Sequence, residues 1–160
     1  MKTSITICLV LGLSFLAGVV TASAEQQIVY REITGFGGML FGPDENDALG
    51  GVALTFNTSP RLGLEGEVGA VFAEDTLFNA SMNIVLNFGT GVTAIVPYVI
   101  GGGGILADGG TEIAVNAGLG AKIFLAYNVA LRADFRAFFT SEDGDAEDME
   151  RIYGGMTLFF

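Results

Sequence analysis

The chain is 160 residues long, 51% hydrophobic and 16% charged, with 24 glycines, 3 prolines and neither histidine nor tryptophan. So apolar a composition excludes a disordered chain, and the glycine content does not suit long helices. Eighteen acidic against seven basic residues give a net charge of −11, the wrong sign for a nucleic-acid binder, and the absence of histidine removes the commonest general base and metal ligand.

Residues 1–24 read as a cleaved secretory signal peptide. Lys2 supplies a positive start, Ile5 to Val20 an apolar stretch, and Ala22-Ser23-Ala24 a small-residue cleavage site. The lone cysteine, Cys8, sits inside that stretch. The mature domain, residues 25–160, is therefore expected to be exported without disulfide support.

Along the mature chain, apolar residues recur with period two, the signature of strands with unlike faces. Weak alternation marks 30–42 and 48–57. From Leu62 to Phe72, Leu62, Leu64, Val68, Ala70 and Phe72 share one face, with Glu65 and Glu67 on the other. Residues 78–88 alternate strictly, setting Phe78, Ala80, Met82, Ile84, Leu86 and Phe88 against Asn79, Ser81, Asn83, Val85 and Asn87. A weaker element covers 92–103. Residues 76–107 carry no charge, but Gly89, Gly91, Pro97 and Gly101 to Gly104 interrupt any apolar helix there. Glu112 to Lys122 opposes Ile113, Val115, Ala117, Leu119 and Ala121 to Glu112, Asn116 and Lys122. Val129 to Phe139 opposes Leu131, Ala133, Phe135 and Ala137 to Arg132, Asp134 and Arg136. A last element spans 151–160.

Eight strands of about ten residues match the length of a tilted membrane crossing. Short turns are expected at Thr58 to Arg61, Gly89 to Gly91 and Ala126 to Asn128. Long loops are expected at Pro43 to Asp47, Ala73 to Thr76, Gly104 to Gly110 and Thr140 to Glu150. Long and short connections then alternate, as in an all-β, eight-stranded antiparallel up-and-down transmembrane β-barrel. In-strand charges balance: Glu65, Glu67 and Asp134 against Lys122, Arg132 and Arg136. In a narrow eight-stranded lumen these six are expected to form a charge network, with Glu65 and Arg132 at similar depth on opposite walls. A soluble exported lipocalin-like barrel binding an apolar ligand shares the alternation with the faces exchanged, and stays open at this point.

The chain ends Arg151-Ile152-Tyr153-Gly154-Gly155-Met156-Thr157-Leu158-Phe159-Phe160, alternating apolar and closing on phenylalanine. This resembles the C-terminal strand of bacterial outer-membrane barrels. Pro97 to Gly104 and Asn128 to Arg136 are similar to the fifth and seventh strands of the small OmpA/OmpX-type outer-membrane β-barrel family. The resemblance covers the mature chain. It implies a bacterial outer-membrane location, periplasmic termini, extracellular long loops, and insertion by the barrel assembly machinery. Tyr153, Met156, Leu158 and Phe160 would be the assembly signal. No periplasmic peptidoglycan-binding domain is read in the sequence, so no cell-wall anchoring is expected.

Family likeness fixes no activity, and the residues favour none. Glu65 and Glu67 lie two apart on one face, as an acid–base pair would, but nearby arginines would hold them ionised. No enzyme activity and no cofactor are expected. Thirteen of the 18 acidic residues fall at the long-loop end, offset there by Arg151 alone. Such a rim favours divalent cations or a basic partner. Asp143, Asp145, Glu147 and Asp148 are the candidate cation ligands, and lipopolysaccharide is the expected neighbour. The leading reading is a monomeric structural or adhesive surface protein. A small ion-permeable pore is the alternative, with lumen glycines Gly51, Gly69, Gly118, Gly120 and Gly155 leaving water pockets.

Overall fold

The computed structural model describes residues 31–41, 46–72, 76–89, 94–107, 111–142 and 145–160, though not the side chains of residues 140–148. The expected signal peptide lies outside the described residues. Eight strands run in sequence: β1 (Arg31–Phe41), β2 (Asn46–Asn57), β3 (Leu62–Phe72), β4 (Leu77–Asn87), β5 (Ile95–Ala107), β6 (Glu112–Ala126), β7 (Val129–Glu142) and β8 (Asp145–Phe159). Each pairs antiparallel with its neighbour in the chain, and β8 returns to β1 to close the barrel. Closure leaves no unpaired sheet edge, which is what permits a strand protein to sit in hydrocarbon.

The register places side chains alternately inside and outside. Outward rows carry the exposed apolar residues, among them Phe56, Val68, Met82, Ile84, Val115 and Met156, each more than 40% exposed. Inward rows carry the buried polar ones, including Thr34, Glu65, Asn83, Arg132 and Thr157. The faces are thus the reverse of a soluble ligand-binding barrel, whose interior is apolar, and the lipocalin-like alternative is set aside on this point. The fold is a transmembrane β-barrel, with the apolar band facing out.

Connections differ from the expected alternation of long and short. At the end opposite the termini they comprise 42–45, 73–76, 108–111 and 143–144, four, four, four and two residues. At the end shared with the termini they comprise 58–61, 88–94 and 127–128, so the segment expected as a tight turn at Gly89 to Gly91 belongs to the longest connection. The expected long loop from Thr140 to Glu150 is mostly strand, with Thr140 paired to Glu147 and Glu142 to Asp145. Its carboxylate density read as a loop, yet strand pairing needs only backbone groups, and a hairpin reaching past the apolar band has no reason to alternate.

Candidate functional site

Inward rows of β1, β3, β6, β7 and β8 bring four carboxylates and four cations into the lumen, all at most 3% exposed. Ions so far from water persist only when paired and hydrogen-bonded. Near the terminal end, Lys122 Nζ lies 2.6 Å from Glu32 Oε2, and Asn57 donates to Glu32 Oε1 at 2.7 Å. At mid-depth, Arg132 Nη1 reaches across to Glu65 Oε2 at 2.5 Å, while its Nη2 meets Asp134 Oδ2 at 3.1 Å. Arg136 is held by three carboxylates: Asp134 Oδ1 at 2.8 Å, Glu65 Oε1 at 2.9 Å and Glu67 Oε2 at 3.1 Å. Closer to the hairpin end, Arg151 grips Glu67 with both terminal nitrogens, Nη1 at 2.5 Å and Nη2 at 3.0 Å.

Two tyrosines join the arginines to this framework. Tyr98 donates its hydroxyl hydrogen to Asp134 Oδ2 at 2.6 Å and accepts from Arg132 Nε at 2.7 Å. Tyr153 donates to Asp134 Oδ2 at 3.2 Å, and Arg136 donates to its oxygen at 3.1 Å. The Tyr153 ring stacks on Phe36 with centroids 4.4 Å apart, and the Arg151 guanidinium lies 4.9 Å above the Tyr153 ring. Between β4 and the middle of β6 an uncharged polar chain runs alongside: Asn116 donates to Asn83 Oδ1 at 2.9 Å, and Asn83 to Ser81 at 3.1 Å.

Glycine makes these crossings possible rather than leaving water pockets. A Cβ at Gly120 would overlap the Tyr98 hydroxyl, and one at Gly118 would lie 2.7 Å from Arg136 Cγ. At Gly51 the space is taken by the Phe36 ring, with Cζ at 2.5 Å, at Gly155 by Phe36 Cβ at 3.0 Å, and at Gly69 by the Asn79 amide oxygen at 2.6 Å. Each lumen glycine expected to open a void is occupied by a neighbour's side chain.

No family model matches the sequence, and no curated protein matches it. Solved structures do. The N-terminal β-barrel domain of Pseudomonas aeruginosa OprF superposes with a TM-score of 0.68 at 20% identity, covering 83% of this chain and 100% of that one. Neisserial surface protein A gives 0.67 at 12% identity, covering 82% and 96%. The outer-membrane enzyme PagL gives 0.55 at 14% identity, covering 79% and 98%. The fold is that of the small eight-stranded outer-membrane barrels. At these identities the likeness concerns architecture alone, and it embraces an enzyme, so chemistry has to come from the side chains.

Within this outer-membrane barrel fold, Glu65, Glu67, Arg132, Asp134 and Arg136 join in one lumen network, while Lys122, also in the lumen, pairs with Glu32 instead. Arg151 joins the network through Glu67, and Glu32 completes the separate pair with Lys122. Glu32 lay in a weakly alternating stretch, and its signal was inward parity with Thr34 and Phe36. Arg151 had been expected at the acidic rim. Because β8 already starts at Asp145, Arg151 lies well inside it and faces in with Tyr153 and Thr157.

The C-terminal residues divide between faces: Tyr153 is buried in the lumen, while Met156, Leu158 and Phe160 are exposed at 52%, 46% and 66%. Of the cation candidates, Asp143 lies outside the described residues, as do the side chains of Asp145, Glu147 and Asp148. Among the described residues no group of three or more acidic, His or Cys side chains is arranged to hold a metal. The described rim acids are Asp47, Glu112 and Glu150, the last two exposed.

Proposed function

We propose that this chain is a non-enzymatic integral protein of the bacterial outer membrane whose role is structural. Its hairpin end faces outward and both ends of the barrel segment face the periplasm. The observation that carries this reading is the inverted partition of side chains, with apolar residues on the outer wall and eight paired charges inside. Such an object is stable only with hydrocarbon around it. The chain has no histidine, and the buried lumen carboxylates are each engaged by a cation, which leaves them poorly suited to proton transfer.

The same network argues against conduction. Arg132, Arg136, Tyr98, Tyr153, Glu65 and Glu67 fill the lumen from the β3 wall to the β7 wall, and these are among the largest fully buried side chains. The outward residues Met156, Leu158 and Phe160 serve as the recognition strip for the assembly machinery. The acidic rim joins the divalent-cation network of neighbouring lipopolysaccharide.

The deciding experiment combines membrane fractionation with gel mobility before and after boiling. The protein is expected in the outer-membrane fraction, needing detergent for release, with a mobility that changes on heating. Recovery in the soluble fraction with unaltered mobility overturns the reading. In planar bilayers the folded protein is expected to give no steady conductance. A sustained current would instead favour the pore.

A further inference from the structure

The two ends of the barrel carry exposed charge of opposite sign. Besides Lys2 the chain has six Lys and Arg residues. Lys122, Arg132, Arg136 and Arg151 are buried in the lumen. The remaining two, Arg31 and Arg61, both stand exposed at the end shared with the termini, Arg31 opening β1 and Arg61 closing the 58–61 turn between β2 and β3. Among the described side chains the exposed carboxylates, Glu112 and Glu150, lie at the hairpin end. No described carboxylate pairs with Arg31 or Arg61. Glu32, next to Arg31 in sequence, turns into the lumen against Lys122.

The setting of these arginines is amphipathic. Outward and inward residues alternate along β1, so Arg31 continues the outward row of Ile33. Strand pairing sets Arg31 opposite Phe56. On its other flank the backbone N–H of Phe160 donates to the Arg31 carbonyl oxygen at 3.0 Å. Both phenylalanines are exposed. Arg61 stands two strand spacings from β1, about 10 Å across the wall, and precedes the outward Leu62. An arginine between aromatic side chains at the edge of an apolar wall lays its alkyl stem on hydrocarbon and raises its guanidinium to the water boundary. In a bilayer that boundary is lined with lipid phosphate, which the planar donor fork of arginine fits.

We infer that the terminal end of the barrel is a binding surface for anionic phospholipid headgroups: Arg31 and Arg61 take the phosphates, and Phe56 and Phe160 pack on the glycerol and upper acyl carbons. The inference rests on the membrane reading above. A free anion gains nothing from the flanking aromatics, and a zwitterionic headgroup brings a cation of its own that offsets the attraction. The acidic hairpin end repels the same lipids, so the chain distinguishes the two boundaries of a bilayer by charge.

Because the chain has no tryptophan, a single introduced one reports on its own lipid neighbours. Phe56→Trp places the reporter beside Arg31, and Phe72→Trp places it on the outer wall toward the hairpin end. The parent side chains are comparably exposed, at 53% and 61%. Each variant is folded into vesicles that mix phosphatidylglycerol with phosphatidylcholine of the same acyl chains, one lipid brominated and then the other. Quenching of fluorescence gives the relative affinity of the two lipids at that position. The Phe56→Trp reporter is expected to favour phosphatidylglycerol about fivefold, the effect of one arginine near an anionic headgroup. The Phe72→Trp reporter should show no such preference. Adding Arg31→Gln and Arg61→Gln to Phe56→Trp should bring its ratio down to that of Phe72→Trp, with heat-modifiable mobility retained because both sites are exposed.

The same ratio at both reporter positions overturns the inference and leaves the membrane reading intact, as does a preference that survives the loss of both arginines. A preference abolished by inorganic phosphate, but not by chloride at equal ionic strength, overturns it in favour of a free-anion site. Quenching by neither lipid at either position overturns the membrane reading, and this inference with it.

Discussion

The Tyr98 hydroxyl occupies the space where Gly120 would carry a side chain, directly across the β5–β6 pairing that sets the two residues opposite one another. That position lets one phenol serve Asp134 and Arg132 together. Gly120→Ala is expected to push Tyr98 out of this arrangement and to destabilise the barrel by about 1–3 kcal/mol, the usual range for overpacking. Urea titration of the gel-mobility change in detergent measures it. A variant as stable as the parent would show that both Tyr98 and the Ala133 carbonyl, which the added Cβ would also overlap, have room to move.

Lys122 and Glu32 form the most self-contained pair of the lumen, bonded at 2.8 and 2.6 Å. Lys122→Met alone strands a buried carboxylate, and Glu32→Leu alone strands a buried ammonium. Each is expected to cost about 3–5 kcal/mol. The double variant removes both ions and should recover part of that loss, short of the hydrogen bond that Asn57 donates to Glu32. Additive losses in the double variant would contradict a direct pairing.

Met82 stands midway along β4 on the outer wall, 66% exposed. Arginine there would meet hydrocarbon if the band lies in a bilayer. Met82→Arg is expected to lower stability by about 2–4 kcal/mol in liposomes. In water an exposed substitution normally changes stability by less than about 0.5 kcal/mol, so a neutral outcome would remove the lipid from the account.

Phe160 ends the outward row of β8 and is 66% exposed. Its aromatic ring contributes little to the core, so Phe160→Ala should leave the purified barrel's stability within about 1 kcal/mol of the parent. Cellular outer-membrane levels should nonetheless fall several-fold, if the assembly machinery reads the row. Pulse-labelling of insertion distinguishes a slow delivery from an unstable product.

How much of this was legible in the sequence depended on what each residue faces. Between Leu62 and Asn87 one wall meets hydrocarbon and the other a packed lumen, so Glu65, Asn83 and their neighbours alternate, and β3 and β4 were readable almost to the residue. Around Thr140 to Glu150 that contrast is absent. The composition looked like a loop although the backbone pairs, and Arg151 was consequently assigned to the rim. Lumen glycines misled for another reason. A missing side chain reads as a void in one dimension, whereas Phe36, Tyr98 and Arg136 reach in from strands that the local sequence does not reveal.

The buried charges are also distributed unevenly along the chain. Among the described buried side chains, β1 to β6 contribute Glu32, Glu65 and Glu67 against Lys122, an excess of two negative charges, while β7 and β8 contribute Arg132, Arg136 and Arg151 against Asp134, an excess of two positive ones. The last hairpin is therefore the counterion of the six strands that precede it. A chain arrested after β6 would present an uncompensated anionic concavity, and the described lumen-facing row of the last hairpin would lack its anionic partners. Sealing the β1–β8 seam and neutralising the interior become one event, so the protein has a built-in electrostatic reason to finish folding only when its final strand is in place.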